Sequence, residues 1–484
     1  MSIILVKLDA HQAKVKNPPL GLLYIADSLE KEGHKVKVLH SPNYYYLDED
    51  MPKFIKTIKK EKPLFVGLSV MTGLQTRYSA EFCETVKKEC DVPIVWGGPH
   101  TTSIPEQCLR EKYIDFVVIG DGEDTTIELA KELQKKKPDF SKILGIGYKE
   151  KGKIKINPRR PYERDLDKYS IAWHLIDINK YLFAERRCKK AIAYTTSRGC
   201  PYRCAFCYNQ SIGNTIYRTH SVEHVLKDLN MLKKRYGIDG VYFYDDNLFV
   251  NQSRAFEILD KASLYWFGEI RINQISEGFI EQINRNGKCL LLGIGAESGN
   301  DRVLDMIKKD ITTGMIREKT RMLVKHNIPL EYYFIVGFPG EKEDEVVDTL
   351  NFIRELEDMY SNNTNFNAKL GVYNPYPGTP LYQSALEMGF VAPKDTKSWD
   401  VMDRYDIRFS LPWIDRVKLK SMLLYYRYWK FSKFHSPYKR PDLHMFKKIY
   451  GWKLRNKRFG FSYDVILYSK IEEYARKVHY KRYK

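Results

Sequence analysis

The chain has 484 residues and 43% hydrophobic content, enough for two to four domains with ordinary cores. It contains no run of about 18 apolar residues, which excludes a helix that crosses a membrane. Lys+Arg number 80 against Asp+Glu 61, a formal charge of +19, so the expected partner is anionic: a phosphate-bearing substrate, a membrane surface or a nucleic acid. No nucleic-acid-binding module of a known kind is present, so nucleic acid is not an expected partner. A lysine-rich compositional bias is the plain alternative.

Residues 1–140 alternate strand and helix patterns. Strands are predicted at Ile3 to Leu8, Lys35 to His40, Leu64 to Val70, Pro93 to Gly98 and Phe116 to Gly120. Helices are predicted at Leu20 to Glu32, Met51 to Lys60, Thr76 to Cys90, near Ile104 to Glu111, and at Asp124 to Lys135. Short buried strands alternating with helices imply a doubly wound parallel sheet. Such a sheet binds ligands beyond the C-terminal ends of its strands. The loops there carry Ser69, Thr72 and Gly73, then Gly97, Gly98 and His100, then Gly120, Gly122 and Glu123. Glycines let backbone approach a bulky ligand, and a plain nucleotide site or a receiver-type domain would also fit.

Pro18-Pro19-Leu20-Gly21, Gly33-His34 and Gly97-Gly98-Pro99-His100 together resemble the cobalamin-binding domain that precedes many radical S-adenosylmethionine (SAM) cores. The resemblance implies that the nine loop residues above hold cobalamin. Methionine-synthase-type domains carry D-x-H-x-x-G, whose histidine ligates cobalt. Here Asp9-Ala10-His11-Gln12-Ala13-Lys14 has lysine in the glycine position. The reading is therefore cobalamin without His11 on cobalt, with a solvent-facing loop histidine as the alternative.

Residues 141–189 read as a connector. Tyr148 to Lys153 is a turn between short strands, and Trp173-His174-Leu175-Ile176 is an apolar anchor.

The next segment carries the chemistry. After the apolar run Ala191 to Thr195 comes Cys200-Pro201-Tyr202-Arg203-Cys204-Ala205-Phe206-Cys207, a C-x3-C-x2-C spacing. Cysteine thiolates ligate iron–sulfur clusters, and three of them leave one iron of a [4Fe–4S] cluster open. Structural zinc would need a fourth ligand, for which His220 is the one close candidate. A disulfide is not expected: Met1-Ser2-Ile3-Ile4 is no secretory signal, so the expected location is cytoplasmic, where thiols stay reduced. The other five cysteines are scattered and read as buried thiols.

With its aromatic residue before the last cysteine, the motif resembles the signature of the radical SAM enzymes. That resemblance implies that Cys200, Cys204 and Cys207 hold the cluster and that the open iron chelates SAM. An external one-electron donor of the flavodoxin or ferredoxin kind would reduce it. Residues 190–390 resume the alternation, with a helix at Glu223 to Tyr236. Strands at Gly240 to Asp245, Leu290 to Ala296, Tyr332 to Val336 and Lys369 to Asn374 suggest a parallel barrel with its site at the C-terminal face. The family resemblance implies a partial (β/α)6 TIM barrel. By the same resemblance Phe206 packs beside adenine, Asp245 or Asp246 meets the SAM amino group, Glu297 and Ser298 hold the ribose, and Gly337 belongs to the strand lining the adenine. Helix caps or solvated loop charges are the plain alternatives for the carboxylates, including Glu341.

Residues 391–484 form a basic, aromatic, mainly helical extension, from Leu423-Leu424-Tyr425-Tyr426 to Tyr480-Lys481-Arg482-Tyr483-Lys484. Such composition suits peripheral membrane contact, or a helical cap over the barrel mouth with a solvated basic face.

The resemblance implies a cobalamin-dependent radical SAM methyltransferase acting on an unactivated carbon. One SAM supplies the methyl group through cobalamin, and a second yields a 5′-deoxyadenosyl radical that removes the substrate hydrogen. Two other readings stand beside it. One is ring closure on a lipid or tetrapyrrole-like substrate; the other is a non-catalytic cobalamin or redox sensor.

Overall fold

The computed structural model describes residues 1–9, 16–43, 46–213, 215–360, 365–403, 406–407 and 411–434, with Lys448, Trp452 and Asn456 beyond. The N-terminal part runs β1 (Ser2–Leu8), α1 (Leu20–Lys31), β2 (Lys35–Ser41), α2 (Leu47–Glu61), β3 (Val66–Ser69), α3 (Leu74–Glu89) and β4 (Ile94–Gly97). It continues through α4 (Pro99–Ser103), α5 (Pro105–Arg110), β5 (Phe116–Val118), α6 (Glu123–Leu133), β6 (Ile146–Glu150) and β7 (Lys153–Ile156). The sheet order is β2-β1-β3-β4-β5-β6-β7. The first five strands are parallel, and β6 and β7 add antiparallel. Alternate side chains of these strands enter separate clusters on the two faces: Ile4, Val6, Val66, Leu68 and Trp96 on one, Ile3, Leu5 and Val95 on the other. Burial on both faces explains why the strands read as unbroken apolar runs.

The helix expected near Ile104 to Glu111 is α5, and a further short helix, α4, precedes it where a loop was expected. Pro105, which has no N–H to give, opens α5. Helix α4 grows directly from Gly98, so His100 lies in a helix and is buried rather than presented on a loop. The connector's expected turn is the β6–β7 hairpin, with Lys151 and Gly152 at positive φ. That hairpin belongs to the N-terminal sheet. Trp173 is buried and stacks on Tyr194, centroids 6.5 Å apart.

The second part runs β8 (Phe183–Glu185), β9 (Cys188–Tyr194), β10 (Ser197–Arg198), α7 (Tyr208–Ile212), β11 (Arg218–Thr219), α8 (Val222–Tyr236), β12 (Gly240–Phe243), α9 (Gln252–Ala262) and β13 (Tyr265–Ile270). It continues with α10 (Glu277–Asn286), β14 (Cys289–Glu297), α11 (Asp301–Met306), α12 (Thr313–Lys325), β15 (Leu330–Val336), α13 (Glu343–Met359), β16 (Phe366–Val372) and α14 (Pro380–Glu387). Its sheet order is β16-β15-β14-β13-β12-β9-β8. Six parallel strands, β9 and β12 to β16, form an open half-barrel; β8 closes one edge antiparallel. The sequence reading missed β13, whose Gly268 and Glu269 break the apolar run.

The chain then returns to the N-terminal part. A 3-10 turn at Lys397–Val401 packs on α3. There Trp399 donates from Nε1 to Gln107 at 2.8 Å, and Arg77 pairs with Asp400 at 2.9 Å. A two-residue pair, β17 (Met402–Asp403) with β18 (Asp406–Ile407), leads to α15 (Arg416–Phe434). Tyr425 and Tyr426 of α15 are buried, and Tyr426 donates its hydroxyl proton to the Ala368 carbonyl on edge strand β16 at 2.8 Å. This part of the aromatic stretch therefore covers the open edge of the half-barrel. The stretch expected to continue to Tyr480-Lys481-Arg482-Tyr483-Lys484 lies outside the described residues. No helix among the described residues is long and apolar enough to cross a membrane.

Gly98 stands where β4 turns into α4 at φ +95°, and a Cβ there would sit 2.8 Å from the Val70 carbonyl oxygen. Gly98→Ala is expected to cost on the order of 1–3 kcal/mol, read as a lowered midpoint in thermal or denaturant unfolding.

Candidate active site

Strand ends of both sheets point toward each other. At the N-terminal sheet, Ser69 and Gly97 are register partners at the C-terminal ends of β3 and β4. Gly120 follows β5. The nearest atoms to a Cβ built on Gly97 or Gly120 are 3.7 and 3.8 Å away. These residues form a half-exposed floor bare of large side chains, which suits a flat, bulky cofactor. Gly73 is different: its Cβ would stand 2.7 Å from the Met402 carbonyl, so it admits the returning chain.

Four expected cobalamin contacts are otherwise engaged. The His100 ring is fully buried, its Nδ1 lies 3.0 Å from the Thr72 hydroxyl, and it meets Trp399 edge-on at 5.6 Å. Burial lowers its pKa to about 3, so it is neutral. Thr72 is thus turned to His100. Gly122 packs on Ile25, and Glu123 ion-pairs with Arg198 at 2.6 Å. In this arrangement Thr72, His100 and Glu123 are each engaged by a protein partner. His11 lies outside the described residues. Asp9, its expected neighbour, takes His40 Nε2 at 2.9 Å.

At the half-barrel, the cysteine loop follows β9. Its anchor is Asp245, fully buried at the end of β12. One carboxylate accepts the Thr196 N–H at 3.0 and 3.1 Å, the Thr196 hydroxyl at 2.8 Å and the Ser197 hydroxyl. Burial pushes the Asp245 pKa up, against donors that favour its charged form. Asp245, expected to meet the SAM amino group, is here engaged by Thr196 and Ser197 of the cysteine loop. Asp246 instead accepts the Gly199 N–H and the Tyr208 hydroxyl, both at 3.1 Å.

All three motif cysteines are free thiols. Burial raises the pKa of Cys200, and raises that of Cys207 to about 12, with the neighbouring motif thiols adding to both. The three are thus electrostatic neighbours that disfavour joint ionisation without a cation. Among the described residues, the one group of metal-ligating atoms within 4.8 Å of each other lies elsewhere. At least one pair of the three sulfurs is therefore wider apart than the ~3.8 Å edge of a zinc tetrahedron. His220, the candidate fourth zinc ligand, contacts Tyr24 and Asp167 instead. Spacing and charge fit a cluster with three protein ligands.

Two cations that the sequence reading missed complete the site. Arg271, immediately after β13, donates from Nη1 to Cys204 Sγ at 3.1 Å and from Nη2 to the Lys309 carbonyl. Its guanidinium lies 3.9 Å from the Tyr202 ring centroid. Lys309 is buried and pairs with Glu297 at 2.7 Å. Burial works against its charge, but Glu297 and Cys204 more than offset this and hold its pKa above the ordinary value. Lys309 also lies 6.0 Å over the Phe206 ring, and Phe206 packs on Phe338 at 5.6 Å. Glu297 is thus beside the cluster loop, at positive φ and already half-satisfied. Ser298 is turned away: its hydroxyl meets Thr349 at 3.1 Å and accepts the Asn300 N–H at 3.2 Å. Gly337 donates its N–H to Glu341 at 2.5 Å, and its carbonyl accepts Trp413 Nε1 at 3.1 Å. A strand-end arginine was the missed signal, lost with β13 itself.

A family model described as "B12 binding domain" matches residues 6–130, and one described as "Radical SAM superfamily" matches residues 194–353. A protein of Pyrococcus horikoshii named as an uncharacterised methyltransferase is 33% identical over 80% of this chain and 82% of its own. The chain belongs to the B12-binding radical SAM enzymes. Its cofactors are cobalamin, a [4Fe–4S] cluster and SAM. The anaerobic magnesium-protoporphyrin IX monomethyl ester cyclase of Rubrivivax gelatinosus is 25% identical over 76% of this chain and 66% of its own. The structure of the cobalamin-dependent radical enzyme OxsB, with aqua-cobalamin and SAM bound, superposes with a TM-score of 0.71 at 18% identity. It covers 98% of this chain and 75% of that one, and shares its fold.

Asp245→Asn, which removes one charged acceptor from three donors, is expected to lower iron and sulfide content after anaerobic reconstitution several-fold. Asp246→Asn should leave both near the wild-type level. Burial raises the Glu341 pKa to about 8. The folded protein then holds that proton more tightly than the unfolded chain. This group's stabilisation is complete below about pH 4.5 and is lost as the pH rises through about 8. Glu341→Gln should flatten the fall in unfolding midpoint between pH 6 and 9.

Proposed function

We propose that this enzyme transfers a methyl group from SAM, by way of cobalamin, to an unactivated carbon. The reading rests on one observation above others: the two candidate cofactor sites are tied at their rims. Ser103, at the end of the helix that follows Gly97-Gly98, hydrogen-bonds Ser211 at 2.5 Å, in the helix that follows Cys207. When bound, the cluster with SAM supplies a hydrogen-abstracting radical and cobalamin carries the methyl group.

The chain's own residues would do the rest. Cys200, Cys204 and Cys207 would hold the cluster, and Arg271 would stabilise the Cys204 thiolate through its N–H bond. Phe206, Phe338, Glu297 and Lys309 would line the SAM site, apolar for the base and charged for its polar ends. Ser69, Gly97, Gly98 and Gly120 would admit cobalamin, while Trp399 and Met402 exclude water at the rim. Residues 1–140 would act as the cobalamin domain, 190–390 as the radical core and 391–484 as a covering extension. Inside the half-barrel, Tyr242 stacks on Phe267 at 4.7 Å, with Phe183 and Tyr244 adjoining. This wall suits an apolar or planar substrate. Reduction would come from an external one-electron donor protein. Peripheral membrane contact through the tail would bring a lipid-linked substrate within reach.

A second reading, radical ring closure, is favoured by the cyclase relative. The protein would be reconstituted anaerobically with iron, sulfide and cobalamin, then given SAM, a strong reductant and candidate substrates from cell extract. S-adenosylhomocysteine and 5′-deoxyadenosine formed together, both dependent on cobalamin, are the expected result by mass spectrometry. Deoxyadenosine alone would move the assignment to ring closure. Cys207→Ala should abolish deoxyadenosine, and its persistence would overturn the cluster assignment.

A further inference from the structure

Away from the cofactor loops, Asp167, His220 and His224 bring three potential metal ligands within 4.8 Å of one another, the one such group among the described residues. They come from separate segments. Asp167 lies in a 3-10 turn of the connector, His220 follows β11, and His224 lies in the first turn of α8. His220 Nδ1 is 3.3 Å from Asp167 Oδ1, and His224 Nδ1 is 3.6 Å from the same oxygen. The two imidazoles are stacked, centroids 4.4 Å apart and 21° from parallel.

Hydrogen bonds from N–H to oxygen span about 2.7–3.2 Å. Both distances are longer. Two ligand atoms on one tetrahedral zinc, each about 2.0–2.1 Å from the metal, sit about 3.3–3.4 Å apart. The two distances from Asp167 Oδ1 thus match the spacing of neighbours around one small ion, and a turn of the partly exposed His224 ring out of its stack on His220 would bring both lone pairs to it.

The surroundings agree. His220 Nε2 is 3.1 Å from the hydroxyl of Tyr24 in α1. If Nε2–H donates there, the Nδ1 lone pair faces Asp167, the ligating tautomer held by an outer hydrogen bond. His220 is 2% exposed at its side chain, so its ring is held in place by packing. Asp167 Oδ1 also accepts the Ser221 N–H at 2.9 Å, which fixes the carboxylate. Two guanidiniums lie close: Arg254 is turned to the His220 backbone carbonyl at 2.7 Å and to Thr196, and Arg198 lies 4.8 Å over Tyr24 and pairs with Glu123 and Asp121. Asp167 is about one-third exposed, which gives an ion a route in.

We propose that Asp167, His220 and His224 bind one divalent ion with zinc's preference for imidazole and carboxylate. This ion is separate from the cluster. Through Tyr24 it joins helix α1, the connector and the start of α8, three elements that fix how the two sheets face each other.

The test uses the full chain with cluster and cobalamin in place, so that the motif cysteines are occupied. The holoenzyme is stripped of loose metal with a chelator and titrated with zinc against a chromophoric competitor. Zinc and iron are counted by elemental analysis. One zinc per chain is expected, with a raised unfolding midpoint. His224→Ala and Asp167→Asn, both at partly exposed positions, should each weaken zinc binding at least tenfold and abolish the midpoint rise, with iron content unchanged. Tyr24→Phe should weaken binding about 10–100-fold. No zinc on the wild-type holoenzyme overturns the proposal. So does equal zinc affinity in wild type, His224→Ala and Asp167→Asn; the three side chains would then be a hydrogen-bonded cluster only.

Discussion

The buried ion pair between Arg198 and Glu123 joins the two halves at the place where their work meets. Arg198 stands two residues before Cys200, and Glu123 opens α6 after the Gly120–Gly122 turn. Glu123 is nearly inaccessible and Arg198 largely buried, at 3% and 19% side-chain exposure. Asp121 adds a second carboxylate to Arg198 and also takes Arg218 at 2.6 Å. Charges this deep are costly unless paired with good geometry. The pairing is possible in one arrangement of the two sheets. It therefore contributes specificity of docking more than raw stability.

Around that joint, the half-barrel shows how an open sheet is made to hold a reactive site. Its cysteine loop is held by the carboxylates of Asp245 and Asp246 and, at Cys204, by Arg271. These residues sit at the ends of barrel strands, where side chains emerge at fixed positions on a rigid frame. Gly295 on β14 leaves room for the Glu297–Lys309 pair, since a Cβ there would stand 2.9 Å from Lys309 Nζ. The open edges are covered at both ends, by β8 beyond β9 and by α15 beyond β16.

The segment after α14 is a strap over both halves. Thr396 meets Tyr113 of the N-terminal part, Trp399 packs on His100, and Met402 presses on Gly73. Leu411 and Trp413 then reach Gly337 at the half-barrel. The C-terminal chain thus reads both cofactor rims in sequence.

Local chemistry determined a good deal by sequence alone. Unbroken apolar strands between helices specify parallel sheets, because only burial on both faces tolerates them. The cysteine spacing implied three cluster ligands, since three neighbouring thiolates in one loop leave few other uses. The glycines after β4 and β5 marked a ligand floor. What the tertiary structure decided was which polar groups remain free to act. Asp245, Ser298, Glu123 and His100 carry plausible chemistry in the sequence, but each is turned to a protein partner far along the chain. Arg271 and Lys309 were silent in the sequence because their meaning comes from Cys204, more than sixty residues before either. Local pattern reports where a side chain begins; the fold decides what it touches.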